Sequence, residues 1–155
     1  MPKYGISTND FTTSTTILTA LGIAPNATGE QAEIVELIMT GSGSTAAADT
    51  QHRATAQPAT FAGTGVSTSL TPQPFLDASL AANCTCGGAY STEPTSYAST
   101  LGLLVFGFNQ RGGMRWAVPQ GEGVRLNNAW TNKFLGWRVA SSAAGKIDAT
   151  LHFWE

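Results

Sequence analysis

Residues able to act as acids, bases or nucleophiles are few in this chain. Its 155 residues include two histidines, two cysteines and ten acidic residues. Nucleophilic catalysis needs a Ser or Cys held beside a base, so His52 and His152 are the candidate bases. Nothing in the spacing brings either histidine near the cysteines. His152 lies beside Trp154 in a strand-like segment, which favours a surface or interface side chain over a catalytic base.

The two cysteines, Cys84 and Cys86, are separated by a single residue. A disulfide across one residue would close a very tight, strained loop. Two thiols alone do not complete a four-ligand zinc site. We therefore expect free thiols in a reduced compartment, no metal site and no cofactor.

Hydrolysis of a sugar bond would need paired carboxylates in a cleft. The candidates are Glu30, Glu33, Glu36, Asp49, Asp77 and Glu122. The first three lie close together and indicate a solvated edge, while Glu122 lies between two glycines in a turn. The glycine-rich segment 41–43 lacks the following Lys and helix of a phosphate-binding loop. The sequence predicts that the protein is not an enzyme.

Charge excludes several classes of partner. The net charge is −2, and the eight Lys and Arg residues are scattered, whereas nucleic-acid binding needs them clustered. No apolar run approaches the length of a membrane span, and the first residues do not resemble a signal peptide. Charged residues make up only 12% of the chain, which favours a surface covered by other protein.

The elements that would position these side chains are strands. The clearest is the C-terminal segment 146–155, which alternates strictly with a period of two. One face carries Ile147, Ala149, Leu151 and Phe153; the other carries Lys146, Asp148, Thr150, His152 and Trp154. This pattern is typical of a strand with one face on a core.

Similar but shorter patterns precede it. Segment 32–40 has helix-capping signals at Thr28 and Gln31, yet its β-branched residues favour a strand. Segment 101–109 is apolar on both faces, which predicts a central strand. Prolines and paired glycines predict a long loop over 71–96, of the kind that is usually functional.

About eight or nine short strands result, separated by Gly, Pro and Asn turns. The predicted fold is all-β: a single antiparallel β-sandwich domain over residues 1–155, jelly-roll-like, with one long central loop.

The four tryptophans indicate which parts of the surface could bind another protein. Trp116 and Trp137 are in phase with aliphatic neighbours, which assigns them to the core. Trp130 and Trp154 are candidates for contact with another protein, since Trp is enriched at interfaces. Tryptophans lining a carbohydrate platform are the alternative.

Segment 108–119, with the sequence FNQRGGMRWAVP, and the ending 147–155, with the sequence IDATLHFWE, carry a resemblance. They resemble small β-sandwich proteins encoded among the head genes of tailed bacteriophages, namely capsid decoration or cement proteins. A weaker match lies at 71–74. The likeness covers about two thirds of the chain and includes no catalytic signature.

The resemblance implies a homotrimer on the outside of an icosahedral shell, bound to the major capsid protein and assembled in the host cytoplasm. Residues 1–12 would then form an N-terminal arm lying on the shell. The candidate interface residues are Tyr4, Phe11, Trp130, His152 and Trp154. A carbohydrate-binding, lectin-like module on the virion or host-attachment apparatus is the alternative function.

Overall fold

A computed structural model of the protein describes residues 1–26, 31–42, 49–59, 66–76, 79–94, 97, 102–127, 129 and 134–155. Within these ranges every regular element is a β-strand. The twelve strands are β1 Lys3–Thr13, β2 Leu18–Ala24, β3 Gln31–Gly41, β4 Gln51–Ala59, β5 Val66–Leu70, β6 Gln73–Pro74, β7 Thr85–Thr92, β8 Leu104–Asn109, β9 Gly113–Ala117, β10 Val124–Asn127, β11 Phe134–Ser141 and β12 Gly145–Trp154.

The strands form two antiparallel sheets that pack as a sandwich. The first sheet has the order β10-β3-β12-β1-β6, and β9 lies along the same edge of β3 as β10. The second sheet has the order β5-β7-β2-β11-β4-β8. One core of buried aliphatic and aromatic side chains fills the space between them.

The pairing is that of a jelly roll. Nested pairs β1–β12, β2–β11, β3–β9 and β4–β8 alternate between the two sheets, as they do when one long hairpin is rolled up. The predicted all-β, jelly-roll-like sandwich is confirmed. The strand count was underestimated, because β6 and β7 lie in the stretch that was predicted to be a loop.

The C-terminal strand has the predicted alternation. Along β12 the even-numbered residues are partly exposed, and Ile147, Ala149, Leu151 and Phe153 are buried. Leu151 lies opposite Ile6 of β1 and Leu37 of β3, so this strand is central in its sheet. Segment 32–40 is also a strand, as predicted, and lies beside it.

The long loop predicted over 71–96 is wrong. Residues 73–74 form β6, which pairs with β1, and residues 85–92 form β7, which pairs with β2. Pro74 is tolerated because β6 is a two-residue edge strand. Gly87 lies inside β7 because a Cβ there would collide with the side chains of Ser67 and Tyr90.

The central strand predicted over 101–109 is also wrong. Its described part, β8, is the outer strand of the second sheet. Leu103 and Val105 are 56% and 55% exposed, although Phe108 is buried. Apolar residues on both faces predicted burial on both sides, but only the inward face of β8 meets the core.

The arm predicted for residues 1–12 is replaced by a strand. Residues 3–13 form β1, which pairs along its length with β12. A bulge interrupts this pairing between Thr8 and Phe11, where Asp10 has a φ of +52°. The backbone N–H of Asp10 donates to Asp148 at 2.8 Å, which anchors the bulge.

Candidate functional site

A cluster of charged side chains lies on the outward side of the first sheet. It comprises Glu36 of β3, His152 of β12, Arg115 of β9 and Lys3 of β1, and we call it the Glu36 cluster. Arg115 Nε donates to Glu36 Oε1 at 2.6 Å, and His152 Nδ1 lies 2.7 Å from Oε2. Lys3 Nζ lies 3.8 Å from Oε2. Four strands are thus joined through one carboxylate.

Strand register positions this cluster. Glu36 and His152 are direct partners across β3 and β12, so their side chains emerge side by side. The Glu36 side chain is only 10% exposed. The hydrogen bond from His152, followed by that from Arg115, lowers the pKa of Glu36 against the opposing effect of burial. The carboxylate therefore stays ionised, and its function here is to bind neighbouring strands.

Three exposed apolar side chains follow β6, and the first of them contacts the cluster. Phe75, Leu76 and Leu80, which we call the Phe75 segment, are 51%, 90% and 44% exposed. The ring of Phe75 meets His152 edge to face, with centroids 4.8 Å apart, and Lys3 Nζ lies 4.9 Å from the ring centre. A groove beside it is lined by Gly5, Ile6, Ser7, Leu70, Thr71, Gln73, Pro74, Phe75 and Thr150.

A second cluster of polar side chains lies on the outward side of the second sheet. Arg138 Nε donates to Glu93 at 3.1 Å, and its guanidinium lies 4.2 Å from the ring centre of Tyr97. The Thr19 hydroxyl donates to Glu93 at 2.8 Å. Both charged side chains are less than a quarter exposed. These charges are occupied within the chain rather than presented to a ligand.

The other histidine lies inside the protein and contacts a serine. His52 is 2% exposed; its Nδ1 lies 2.6 Å from Ser141 Oγ and its Nε2 lies 2.6 Å from Gln110 Oε1. Gln110 Nε2 donates to the carbonyls of Ser42 and Lys146, so its oxygen must accept from His52. His52 therefore holds its proton on Nε2 and accepts from the Ser141 hydroxyl.

This is the arrangement of a nucleophile and its base, but it is buried. Ser141 and Gln110 are 8% and 7% exposed, and all three side chains lie within the packed sandwich. The network satisfies buried polar groups, which would otherwise destabilise the fold.

We predict that His52 makes stability depend on pH. Burial lowers the pKa of His52 below its ordinary value of 6.5. The unfolded chain therefore takes up the proton first, and the free energy of unfolding should fall as the pH drops below about 6.5, by up to ~1.4 kcal/mol per pH unit. Urea unfolding between pH 7.5 and pH 5 measures this slope. His52→Gln should lose it.

His152→Gln is the matched control, since it removes the other histidine. A slope that remained in His52→Gln and was lost in His152→Gln would assign the pH dependence to the other histidine. Equal slopes in His52→Gln and the unmodified protein would contradict the assignment.

The cysteines are buried and no disulfide joins Cys84 to Cys86. Burial raises the pKa of the Cys86 thiol to about 12, so it remains protonated and a poor nucleophile. The carboxylate of Glu155 accepts the backbone N–H groups of Asn83 and Cys84 at 2.8 and 2.5 Å. The C-terminal end of β12, in the first sheet, is thereby fixed to the start of β7, in the second sheet.

The carboxylates do not lie where the sequence placed them. Glu33 and Glu36 are 5% and 8% exposed, so the predicted solvated edge is wrong for both. Glu33 accepts the backbone N–H groups of Gly121 and Gly123 at 2.6 and 2.8 Å. Asp49 and Glu122 are exposed. Glu30 and Asp77 lie outside the described residues.

The predicted interface residues fall into three groups. Tyr4 and Phe11 are 2% and 5% exposed and belong to the core, because they lie on the inward face of β1. Neither is presented on the surface of this chain. His152 and Trp154 are partly exposed on the outward face of β12, and Trp130 lies outside the described residues.

The core tryptophans were placed correctly. Trp137 is fully buried, and Trp116 packs against the core from β9. A carbohydrate platform therefore cannot include the ring of Trp137, while Trp116 is partly buried.

Sequence reasoning missed the Glu36 cluster and the Phe75 segment. One signal was present for the first: Glu36 interrupts an apolar run of a central strand, where a charge needs a partner. Its partners lie 79 and 116 residues away, so no local pattern could identify them.

The described residues give two further observations on the class of protein. They hold no group of three or more His, Cys, Asp and Glu side chains arranged to bind a metal. They also include no helix long and apolar enough to cross a membrane.

The fold defines this chain as a jelly-roll β-sandwich. No family model matches its sequence, and no curated protein matches it. A solved structure of the T13 IBDV viral particle aligns with 97% of this chain and 38% of that chain, at 13% identity and a TM-score of 0.21. The chain thus spans less than half of that protein, and the likeness is too low to carry an argument about function.

Proposed function

We propose that this protein is a structural component of a virion. It decorates and stabilises the outside of an icosahedral phage capsid as an oligomer that bridges major capsid subunits. The resemblance of segments 108–119 and 147–155 to capsid decoration proteins supports this, and the jelly roll is a fold that viral capsid proteins use. Proteins of many functions share one fold, so the properties of the surface are needed as well.

One observation carries it: the three large apolar side chains of the Phe75 segment are exposed, and charged side chains near Phe75 are paired with one another. Large apolar side chains exposed on a surface mark contact sites for other proteins. Beside them, Glu36 and His152 are held by their own neighbours. Exposed apolar side chains lose water at little cost, and the paired charges hold the neighbouring strands in place. Such a surface is suited to bind another protein.

The number of copies is proposed from the same resemblance, and avidity is consistent with it. We propose a homotrimer, since three weak sites that bind together give an avidity that one site lacks. Binding to the expanded shell, and not to its precursor, would stabilise the mature particle by mass action. Native mass spectrometry of the purified protein should give the mass of three chains.

The test is cosedimentation with undecorated shells of the matching phage. The unmodified protein should saturate expanded shells and leave precursor shells bare. Leu76→Asp places a charge at the most exposed leucine and should weaken binding at least tenfold. Leu76→Met, which keeps an apolar side chain of similar size, should bind normally.

The proposal fails if the unmodified protein leaves expanded shells bare, or if Leu76→Asp binds as well as Leu76→Met. Quenching of tryptophan fluorescence by a glycan, with bare shells, would favour the carbohydrate-binding alternative instead.

A further inference from the structure

Among the described strands, none pairs with the outer edge of β8. β8 forms the end of the second sheet, and only β4 pairs with it among the strands of the described chain. Residues 103–108 have the sequence LLVFGF, with no charge and no proline. Leu103 and Val105 are more than half exposed. An apolar strand at an open sheet edge is a template for pairing with another chain.

The pairing with β4 shows which backbone groups are free to bond outward. Gln110 N donates to Thr50 O at 2.8 Å, in register with the pair Phe108 and His52. In an antiparallel ladder the bonded residues alternate, so even-numbered residues of β8 bond to β4. Val105 and Gly107 therefore direct their backbone N–H and C=O groups away from the sheet, whereas the carbonyl of Asn109 already accepts the N–H of Gly112 at 2.9 Å.

The other sheet edges carry features that discourage pairing. β6 is two residues long and contains Pro74, and β9 and β10 contain Arg115 and Arg125. β5 is polar and is interrupted by a bulge after Val66. Short strands, prolines, charges and bulges are the means by which proteins protect edges. Within the described strands, β8 alone has none of them.

We propose that β8 pairs with β8 of a second copy of this chain, antiparallel and about a two-fold axis. The absence of charge favours a second copy, because two identical uncharged strands meet without like-charge repulsion. A two-fold contact is also self-complementary, so one open edge is sufficient. The result is one sheet continuous through both copies.

The side chains indicate the register. Centring the pair on Phe106 places Val105 opposite Gly107 of the second copy. A Cβ at Gly107 would meet only the carbonyl oxygen of His52, at 3.9 Å, so its outward side is open. The exposed Val105 side chain covers that space, and the outward backbone groups of both residues are bonded.

This inference is independent of the proposed function and can be tested without shells. A two-fold contact through β8 is added to whatever other contacts the protein makes. In a trimer it joins one trimer to the next, as local two-fold axes relate neighbouring three-fold positions on an icosahedral shell.

The first test compares masses. Val105→Lys adds a charge to an exposed edge position, where lysine is a natural block to pairing. At high concentration, analytical ultracentrifugation should give the unmodified protein twice the mass of Val105→Lys, and Val105→Thr should behave as the unmodified protein. Circular dichroism should be the same for all three. Equal masses for the unmodified protein and Val105→Lys would overturn the proposal. Binding of Val105→Lys to shells is a separate measurement, which tests the proposed function and not this contact.

The second test fixes the register by cross-linking. In the predicted pairing, residues 105 and 107 of different copies are a hydrogen-bonded pair with Cα atoms about 5.5 Å apart, which a disulfide can span. Under mild oxidation, Val105→Cys mixed with Gly107→Cys should cross-link, while each variant alone should not. Cross-linking of Gly107→Cys alone would overturn this register, and no cross-link in any mixture would overturn the contact.

Discussion

Replacing Trp137 with alanine should lower the free energy of unfolding by about 3–5 kcal/mol. Trp137 lies in β11, between β2 and β4, and is fully buried. Its ring lies 6.3 Å from that of Phe106 and 6.4 Å from that of Trp116, measured between centroids. Because Trp116 belongs to the first sheet and Trp137 to the second, the substitution removes a contact between aromatic rings that spans the sandwich.

A milder substitution separates ring packing from polarity. The Nε1 atom of Trp137 is buried and has no hydrogen-bond partner among the residues that the structure describes. A buried donor without a partner carries a desolvation penalty of about 1–3 kcal/mol. Trp137→Phe removes that donor together with part of the ring, so the two effects oppose one another. We expect it to cost far less than alanine, about 1 kcal/mol.

Urea unfolding at pH 7 measures both values from the transition midpoint. Trp154→Ala is the matched control, since Trp154 also lies in a strand but is partly exposed on an outward face. It should cost about 1 kcal/mol or less. Similar losses for Trp137→Ala and Trp154→Ala would contradict the assignment of Trp137 to the centre of the core.

Much of this core was predictable because period-two alternation is a local property. The inward face of β12 and the burial of Trp137 follow from residues at i and i+2, whatever the rest of the chain does. The same reasoning failed for β8. An apolar residue on each face predicts burial, but whether a second neighbour covers the strand depends on topology.

The candidate sites were less predictable, for a related reason. Glu36, His152 and Arg115 are adjacent only because β3 lies between β12 and β9. The contact of His52 with Ser141 likewise depends on β4 pairing with β11. Predicting such contacts requires the order of the strands in each sheet. A single sequence predicts the class of fold but leaves several strand orders open. Tyr4 and Phe11 were predicted to lie at an interface because residues 1–12 were predicted to form an arm. Both side chains instead lie on the inward face of β1.

Replacing Glu36 has the second large effect that we expect. Glu36→Ala should lower the free energy of unfolding by about 2–4 kcal/mol at pH 7, because two charge-assisted hydrogen bonds are lost together. His152, whose side chain is 16% exposed, would be left without its acceptor. Arg115 is 67% exposed and can turn to water, so its share is small.

The shape-conserving variant Glu36→Gln gives the sharper measurement. Its amide oxygen can accept from only one of the two donors at hydrogen-bonding geometry, and its NH₂ group faces the other. We expect a loss of about 1–2 kcal/mol at pH 7. Arg115→Ala, the matched control at the exposed end of the cluster, should cost less than about 1 kcal/mol.

The pH dependence identifies the cause of that loss. The hydrogen bonds from His152 and Arg115 hold the pKa of Glu36 below its ordinary value of 4.5, so the native state binds this proton less readily than the unfolded chain. The stability that Glu36 contributes is therefore complete above pH 4.5 and is lost as the pH falls through the lowered pKa. The difference between the unmodified protein and Glu36→Gln should shrink toward zero at low pH. A difference as large at pH 3 as at pH 7 would show that Glu36 acts through packing rather than charge, and the Glu36 cluster would then not hold β1, β3, β9 and β12 together by its ionised carboxylate.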